Sequence, residues 1–116
     1  MIKKVYNKFK DYGGTVVLWY WNDRYNAHGK HNPHPQYDMP GFDDLITRCL
    51  HEPAVICQDK DHHDRKCFYL DVDGDSTTGK YLKVVVHYNP IGMLPAALIT
   101  AHFKAQVSPK EVVIWP

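Results

Sequence analysis

Side chains that could transfer protons alternate along two strand-like stretches in the C-terminal half of the sequence. Because side chains on a strand point alternately to its two faces, Lys83 and His87 share a face of the first stretch, and Thr100 and His102 share a face of the second. Histidine changes charge near neutral pH, and a cation or hydroxyl can stabilise a developing anion. Metal-independent cleavage of a phosphodiester by a neighbouring hydroxyl needs such a set, because one group accepts a proton, one returns it and one stabilises the phosphorane.

The pairing of the two strands decides which of these side chains meet. The antiparallel register that aligns their apolar positions sets Lys83 near His102 and leaves His87 about 13 Å further along its own strand. Lys83, Thr100 and His102 could then contact one small ligand group, and His87 a neighbouring one.

Lys83 also has a plain structural interpretation. The preceding stretch, 67–73, alternates in the same way, and pairing its apolar face with that of 82–86 sets Asp71 opposite Lys83. A cross-strand ion pair of this kind contributes a fraction of a kcal/mol. The sequence leaves both interpretations of Lys83 open.

Three histidines, His28, His31 and His34, fall in a segment rich in Asn, Gly and Pro that spans residues 22–40. The prolines predict a loop of about nineteen residues, and loops of that length are often functional. The histidines could act as acid–base groups or contact a substrate, could hold zinc with an open position, or could belong to an ordinary surface loop. Their spacing in non-helical chain does not match helical ligand spacing, so we predict no metal and no cofactor.

Aromatic and basic residues elsewhere suit contacts to a nucleic acid. The aromatic run that ends at Trp21 could stack an unpaired base, and lysines near the start of the chain could bind phosphates. The predicted substrate-binding residues are Trp19, Trp21, Tyr81, His87, Lys8 and Lys10. The predicted catalytic residues are His28, His31, His34, Lys83, Thr100 and His102.

These residues need a scaffold, and the sequence predicts one helix and several strands. Apolar residues at helical spacing after Gly41 predict a helix that Pro53 ends, and short alternating runs predict strands. The predicted order is a basic arm or short helix (1–13), an aromatic strand (14–21), the His- and Pro-rich loop (22–40), the helix (41–52) and a β-meander (54–103), with an edge strand at 112–115. We therefore predict a single α+β domain with one helix layer packed on a four- to five-stranded antiparallel β-meander sheet.

Composition bounds the class of protein. A length of 116 residues with 44% hydrophobic content predicts one domain with one core. A net charge of +1 gives no overall attraction for nucleic acid, so any such binding has to be local. Three cysteines without a C-x-x-C motif argue against a disulfide framework. With no signal-like or membrane-length apolar segment, we expect a cytoplasmic protein that does not bind membranes.

The order of the segments resembles a known family. The matching pieces are His31 and His34-Pro35, the helix from Phe42 to Leu50, Pro53-Ala54-Val55-Ile56, Tyr81-Leu82-Lys83-Val84-Val85-Val86 and Leu98-Ile99-Thr100-Ala101-His102, over roughly residues 28–103. This arrangement resembles the small phage and toxin ribonucleases of the barnase–EndoU–colicin E5/D–RelE type. The resemblance implies one or two helices on a four-stranded antiparallel sheet, metal-independent endoribonuclease activity on RNA, and neutralisation by an antitoxin or immunity protein.

The chain departs from that pattern at three places. The last strand of the family often ends in an aromatic residue where His102 stands, the 22–40 loop is long, and the run Trp19-Tyr20-Trp21 has no counterpart. Two other functions stay open on the residues alone. One is a non-catalytic protein-interaction module of the same fold, with its polar sheet face buried in a partner. The other is a zinc-dependent hydrolase that uses the three loop histidines.

Overall fold

A computed structural model describes residues 4–26, 35–72, 81–89 and 94–115 of the chain. The elements in chain order are β1 (Val5–Lys10), β2 (Val16–Tyr20), α1 (Trp21–Asn26), a 3₁₀ turn (Pro35–Asp38), α2 (Phe42–His51), β3 (Val55–Gln58), β4 (Arg65–Asp71), β5 (Tyr81–His87), β6 (Ala96–Lys104) and β7 (Val112–Trp115). None of the helices in these described ranges is long and apolar enough to cross a membrane.

The strands form one mixed sheet of seven strands in the order β1-β2-β6-β5-β4-β3-β7. Strand β2 runs parallel to β6, with Val17 opposite Ala96 and Leu18 opposite Ala97, whereas the other described pairs are antiparallel. The predicted helix layer on a four- to five-stranded antiparallel meander is therefore wrong. The meander β3 to β6 is only the middle of the sheet, because the N-terminal hairpin extends it on one side and β7 extends it on the other.

The N-terminal segment that we predicted as a basic arm or short helix forms β1 instead. Its lysines alternate with Phe9, which is buried, while Lys8 and Lys10 are exposed, and this period of two fits a strand with one covered face. Asp11 closes the hairpin to β2, because its carboxylate oxygen Oδ1 accepts hydrogen bonds from the backbone N–H groups of Gly13 (2.9 Å) and Thr15 (2.8 Å). The prediction was wrong because the four lysines suggested a solvated segment, although buried and exposed side chains alternate along it.

Helix α2 confirms the helix predicted over 41–52. Phe42, Ile46, Cys49 and Leu50 form its buried stripe, and they pack on one face of the sheet in the main core. Burial of each large apolar side chain contributes about 1.5–3 kcal/mol. The helix thereby covers this face of the sheet and leaves the other face, which carries Lys83 and the alternate residues of β5, for other contacts. We call that other face the second face.

The segment predicted as a continuous loop over 22–40 contains two short helical elements. Helix α1 begins directly after β2 at Trp21, and the 3₁₀ turn begins at Pro35. The prolines of the segment all lie at or beyond position 33, so they do not oppose helix in its first residues, and proline is tolerated at the first position of a helical turn.

The strand register corrects one predicted pairing and confirms another. Strand β4 sets Tyr69 opposite Lys83 and Asp71 opposite Tyr81, so the predicted Asp71–Lys83 pair is wrong by two residues. On the other side of β5, His102 lies opposite Lys83, as predicted. An irregularity in β6 then shifts the register by one residue beyond Val85, a shift that apolar matching alone could not predict.

Candidate functional site on the second face of the sheet

Tyr69, Lys83 and His102 form one cross-strand row on the second face. The ammonium Nζ of Lys83 lies 2.6 Å from Oε2 of Glu111. The hydroxyl of Tyr69 donates to the other oxygen of Glu111, Oε1, at 2.8 Å. Only 11% of the Lys83 side chain and 6% of the Glu111 side chain are exposed. The ion partner of Lys83 is therefore Glu111, and the pair is buried.

Burial and this carboxylate also fix the protonation state of Tyr69. Burial raises the pKa of the Tyr69 hydroxyl well above its ordinary value, and the hydrogen bond to Glu111 raises it further. Tyr69 therefore keeps its proton at neutral pH and acts as a donor. A buried ion pair with both carboxylate oxygens occupied holds its two chain segments together, and its removal on one side leaves an uncompensated charge.

Glu111 brings the segment 105–111 onto the sheet. The backbone N–H of Ser108 donates to the Tyr69 hydroxyl at 3.4 Å, and Val107 packs against the second-face cluster that includes Cys67. Sequence reasoning missed Glu111, although it is the only acidic side chain after Asp75. A lysine in a central strand needs a carboxylate partner. Because Glu111 is the only acidic residue in the last forty positions, the need for a partner could have identified it.

Thr100 lies opposite Val85 on β6, where Tyr37 of the 3₁₀ turn approaches it. The hydroxyl groups of Tyr37 and Thr100 are 3.2 Å apart, and both side chains are buried. The Tyr37 hydroxyl also accepts from the backbone N–H of Ala101 at 3.4 Å, and Nε2 of Gln36 donates to the carbonyl of Ala101 at 3.2 Å. Strand β2 pairs with β6 only at Ala96 and Ala97, so these two side chains supply the hydrogen bonds that a strand neighbour would otherwise make.

The predicted catalytic histidines His28, His31 and His34 lie outside the described residues. The elements on either side of them are described, and both lie at β6. Helix α1 packs against β2 and β6, and the 3₁₀ turn is bonded to β6 at Thr100 and Ala101.

His87 lies at the end of β5, on the second face but away from Lys83. Its Nδ1 atom is 3.2 Å from Oδ2 of Asp64, and both side chains are more than one third exposed. Arg65 occupies the opposite position on β4. An exposed pair of this kind contributes little to stability and depends on histidine protonation.

The two tryptophans predicted to stack a base lie at the N-terminal hairpin. Trp19 is fully buried, with Tyr6 and Tyr37 packed edge-on against it. Trp21 is half-buried and packs edge-on against Tyr6, at 4.6 Å between ring centroids. The Arg24 guanidinium stacks over Tyr6 at 4.3 Å. The indole of Trp19 is thus part of the main core and offers no exposed ring face to a base.

Of the other predicted substrate-binding residues, Lys8 and Lys10 are exposed on β1 and Tyr81 packs edge-on against Tyr69. The two lysines line a groove of about 330 Å³ at the β1 edge, together with Phe9, Val16 and Thr47. This edge is the part of the described surface where predicted phosphate contacts and an open groove coincide.

A second cleft, of about 370 Å³, lies where α2 begins. Its charged lining consists of Arg24 and the carboxylates of Asp38, Asp43 and Asp44. Asp43 accepts a hydrogen bond from Asn7 at 2.9 Å. In the described part of the chain, no three His, Cys, Asp or Glu side chains converge in an arrangement that could hold a metal ion.

The cysteines are buried thiols. Cys57 and Cys67 lie opposite one another on β3 and β4, and Cys49 lies in α2. Burial raises the pKa of Cys67 to about 12 and raises those of Cys49 and Cys57 as well. A thiol nucleophile needs its thiolate form, so none of these cysteines is suited to nucleophilic chemistry at neutral pH.

Comparison of the chain with protein-family models, with curated proteins and with solved structures finds no match.

Proposed function

We propose that this chain is a small metal-independent endoribonuclease that cleaves RNA by attack of the 2′-hydroxyl. The observation that carries the proposal is the bonding of the 3₁₀ turn to β6. That turn directly follows His34 in sequence, and it is held at Thr100 and Ala101 by Tyr37 and Gln36. It supports the proposal because it holds the residues that follow His34 at the strand that carries Thr100 and His102.

The proposed roles follow from the chemistry of each group. One histidine accepts the proton of the 2′-hydroxyl as its oxygen attacks phosphorus, and a second donates a proton to the 5′-oxygen as the P–O5′ bond breaks. We assign these two roles to His102 and to one of His28, His31 and His34. The Thr100 hydroxyl stabilises the charged phosphorane. Because Lys83 is paired with Glu111, its role is to position the segment 105–111 beside this site.

The test is incubation of purified protein with total RNA, with and without EDTA, followed by analysis of the product ends. Cleavage that survives EDTA and leaves 2′,3′-cyclic phosphate supports the proposal. His102→Ala and Thr100→Val should each lower the rate at least tenfold without loss of fold. His51→Ala is the matched control, because His51 is exposed at the end of α2. Cleavage lost in EDTA would point instead to a zinc-dependent hydrolase.

A second function, a non-catalytic protein-interaction module, is favoured by the surface of β7. All four of its residues, Val112, Val113, Ile114 and Trp115, are apolar and 40–66% exposed. Among the described strands, β7 pairs only with β3, so its outer edge is a template for a partner strand. The same assay separates the two functions, because absence of cleavage with and without EDTA favours the interaction module.

A further inference from the structure

One continuous row of side chains crosses five strands on the second face, away from Lys83. Each member is the register partner of the next on the neighbouring strand: Lys8 on β1, Leu18 on β2, Ala97 on β6, His87 on β5 and Arg65 on β4. With neighbouring strands about 4.8 Å apart, the row is about 19 Å long. It lies about 13 Å along β5 from the row of Lys83 and His102.

The β1 end of the row is cationic. Lys8 and Lys10 are exposed and point to the same face, because buried Phe9 lies between them. They also border a groove of about 330 Å³ that passes around the sheet edge to Thr47 on the α2 side. The Thr47 hydroxyl in that groove already donates a hydrogen bond to the carbonyl of Asp43. The two lysine ammonium groups are therefore the groups that the groove offers to an anion. Lys8 and Lys10 are two residues apart on one face, about 6.6 Å along the strand, and this spacing suits successive phosphates of a backbone.

The β4 end of the row is mixed in charge. His87 pairs with the carboxylate of Asp64 at 3.2 Å, and Asp59 lies within electrostatic range of Arg65. The Nε atom of Arg65 is buried and has no hydrogen-bond partner among the described residues. Carboxylates repel phosphate, so this end is unsuited to a nucleic-acid backbone. Donors and acceptors side by side instead suit the edges of bases, which present both.

The middle of the row is apolar and half-buried. Leu18 and Ala97 are adjacent on β2 and β6, and Tyr20 follows on the same face of β2. Flat apolar surface with a nearby aromatic ring suits the faces of unpaired bases, whereas a duplex keeps those faces stacked.

We propose that this row binds a segment of single-stranded RNA, with two phosphates at Lys8 and Lys10 and with the base edges of nucleotides further along the same RNA strand at Arg65 and His87. The choice of RNA as the ligand rests on the proposed function, whereas the orientation rests on the charge at the two ends of the row. Arg65 thereby becomes a specificity-determining residue that sequence reasoning did not identify. The row supplies substrate contacts, whereas His102 and Thr100 belong to the proposed catalytic site.

The test measures binding of the full chain to fluorescently labelled decamers of 2′-O-methyl U, A and C across a salt series. Such RNA has no free 2′-hydroxyl, so binding is measured without cleavage. Lys8→Gln with Lys10→Gln should weaken binding about 25-fold at 0.1 M salt and lower the slope of log K against log salt by about 1.4, as expected for two lost single-strand phosphate contacts. The matched control is Arg48→Gln with Lys110→Gln, which removes the same charge from exposed positions of α2 and the segment 105–111.

Arg65→Lys tests the other end, because it keeps the charge but loses the planar fork of donors. It should at least halve the ratio of affinities between the best and worst decamers while leaving the salt slope unchanged. The proposal would be overturned if the control pair of substitutions weakened RNA binding as much as the Lys8 and Lys10 pair does. It would also be overturned if the wild type bound all three decamers with equal affinity, or if polyglutamate competed for binding as effectively as RNA does. If the protein cleaves unmodified RNA but the substitutions do not change binding in this way, only the proposed binding row is wrong. If binding changes as expected but no RNA is cleaved, only the catalytic proposal is wrong.

Discussion

Lys83 Nζ lies 2.6 Å from Oε2 of Glu111, and this buried pair joins the centre of the sheet to the segment that leads into β7. The lysine belongs to a β-strand in the middle of the sheet, and the carboxylate arrives 28 residues later in the sequence. Tyr69 completes the contact from the next strand. The buried Lys83–Glu111 pair is therefore a closed structural contact, and two of the groups proposed to react with RNA, Thr100 and His102, lie on the neighbouring strand β6.

Removal of Lys83 alone should destabilise the protein strongly. Lys83→Ala leaves the Glu111 carboxylate buried without its cation, and such uncompensated charges cost about 3–5 kcal/mol. The free energy of unfolding in urea measures this loss, with Lys110→Ala as the control at an exposed lysine. A loss below about 1 kcal/mol would contradict the buried pair.

A double variant separates loss of charge from loss of packing at the same place. Lys83→Met with Glu111→Gln removes both charges, keeps similar volume and leaves an amide oxygen to accept from the Tyr69 hydroxyl. Because buried ion pairs contribute little net stability, this variant should recover most of what Lys83→Ala loses. An unfolding free energy as low as that of the single variant would show that the ammonium group itself is indispensable.

Tyr37→Phe should weaken both the fold and the proposed activity. It removes the hydroxyl that contacts Thr100 and the N–H of Ala101, at a cost of about 1–3 kcal/mol for polar groups left unpaired in a buried place. Cleavage should also fall at temperatures where the variant is fully folded, because the Thr100 hydroxyl loses its orientation. The control is Tyr12→Phe, since Tyr12 is exposed, and equal activities of the two variants would contradict a positioning role for Tyr37.

Helix α2 and the pairing of His102 with Lys83 could be predicted because both depend on local periodicity. The apolar stripe from Phe42 to Leu50 repeats at helical spacing, and the alternation in β5 and β6 leaves few registers that bury both apolar faces. The extent of the sheet could not be predicted in the same way. The lysines of β1 indicate a solvated basic segment, and the sequence does not show that Phe9 of the same strand is buried in the core.

The partners of Lys83 and Thr100 could not be predicted, because both come from distant parts of the chain. Glu111 and Tyr37 reach the sheet from irregular segments whose paths no periodicity specifies. The register error at Asp71 has a related cause. Two registers differing by two residues keep the same apolar face, so the choice between them depends on turn geometry and not on the strands themselves.

Stability should fall as the pH rises above about 9. Burial raises the pKa of the Cys67 thiol from 9.0 to about 12, so the unfolded chain loses this proton before the folded chain does. The contribution of the neutral thiol is complete below the ordinary thiol pKa and is lost as the pH rises toward 12. Urea unfolding between pH 8 and 11 measures the decline, which Cys67→Ala should make shallower. An identical slope in that variant would mean that Cys67 is not shielded from ionisation.

The hydrogen bond between Asp11 and Tyr88 should couple the two ends of the proposed RNA-binding row. The Tyr88 hydroxyl donates to Oδ2 of Asp11 at 2.7 Å, and these residues are the sequence neighbours of Lys10 and His87. Burial raises the pKa of Tyr88 above its ordinary range, and the bond to Asp11 raises it further, so the donor stays protonated. The contact thus ties the N-terminal hairpin to the end of β5.

A double-mutant cycle measures that coupling. Tyr88→Phe removes the bond, Asp11→Asn weakens it by removing the acceptor charge, and the double variant should cost about 1–2 kcal/mol less than the sum of the single changes. Tyr88→Phe should also lower the affinity for 2′-O-methyl RNA while keeping the wild-type salt slope, because both lysines are retained but their position relative to His87 is less well fixed. Additive stabilities and an unchanged affinity would mean that the hairpin keeps its place without this bond.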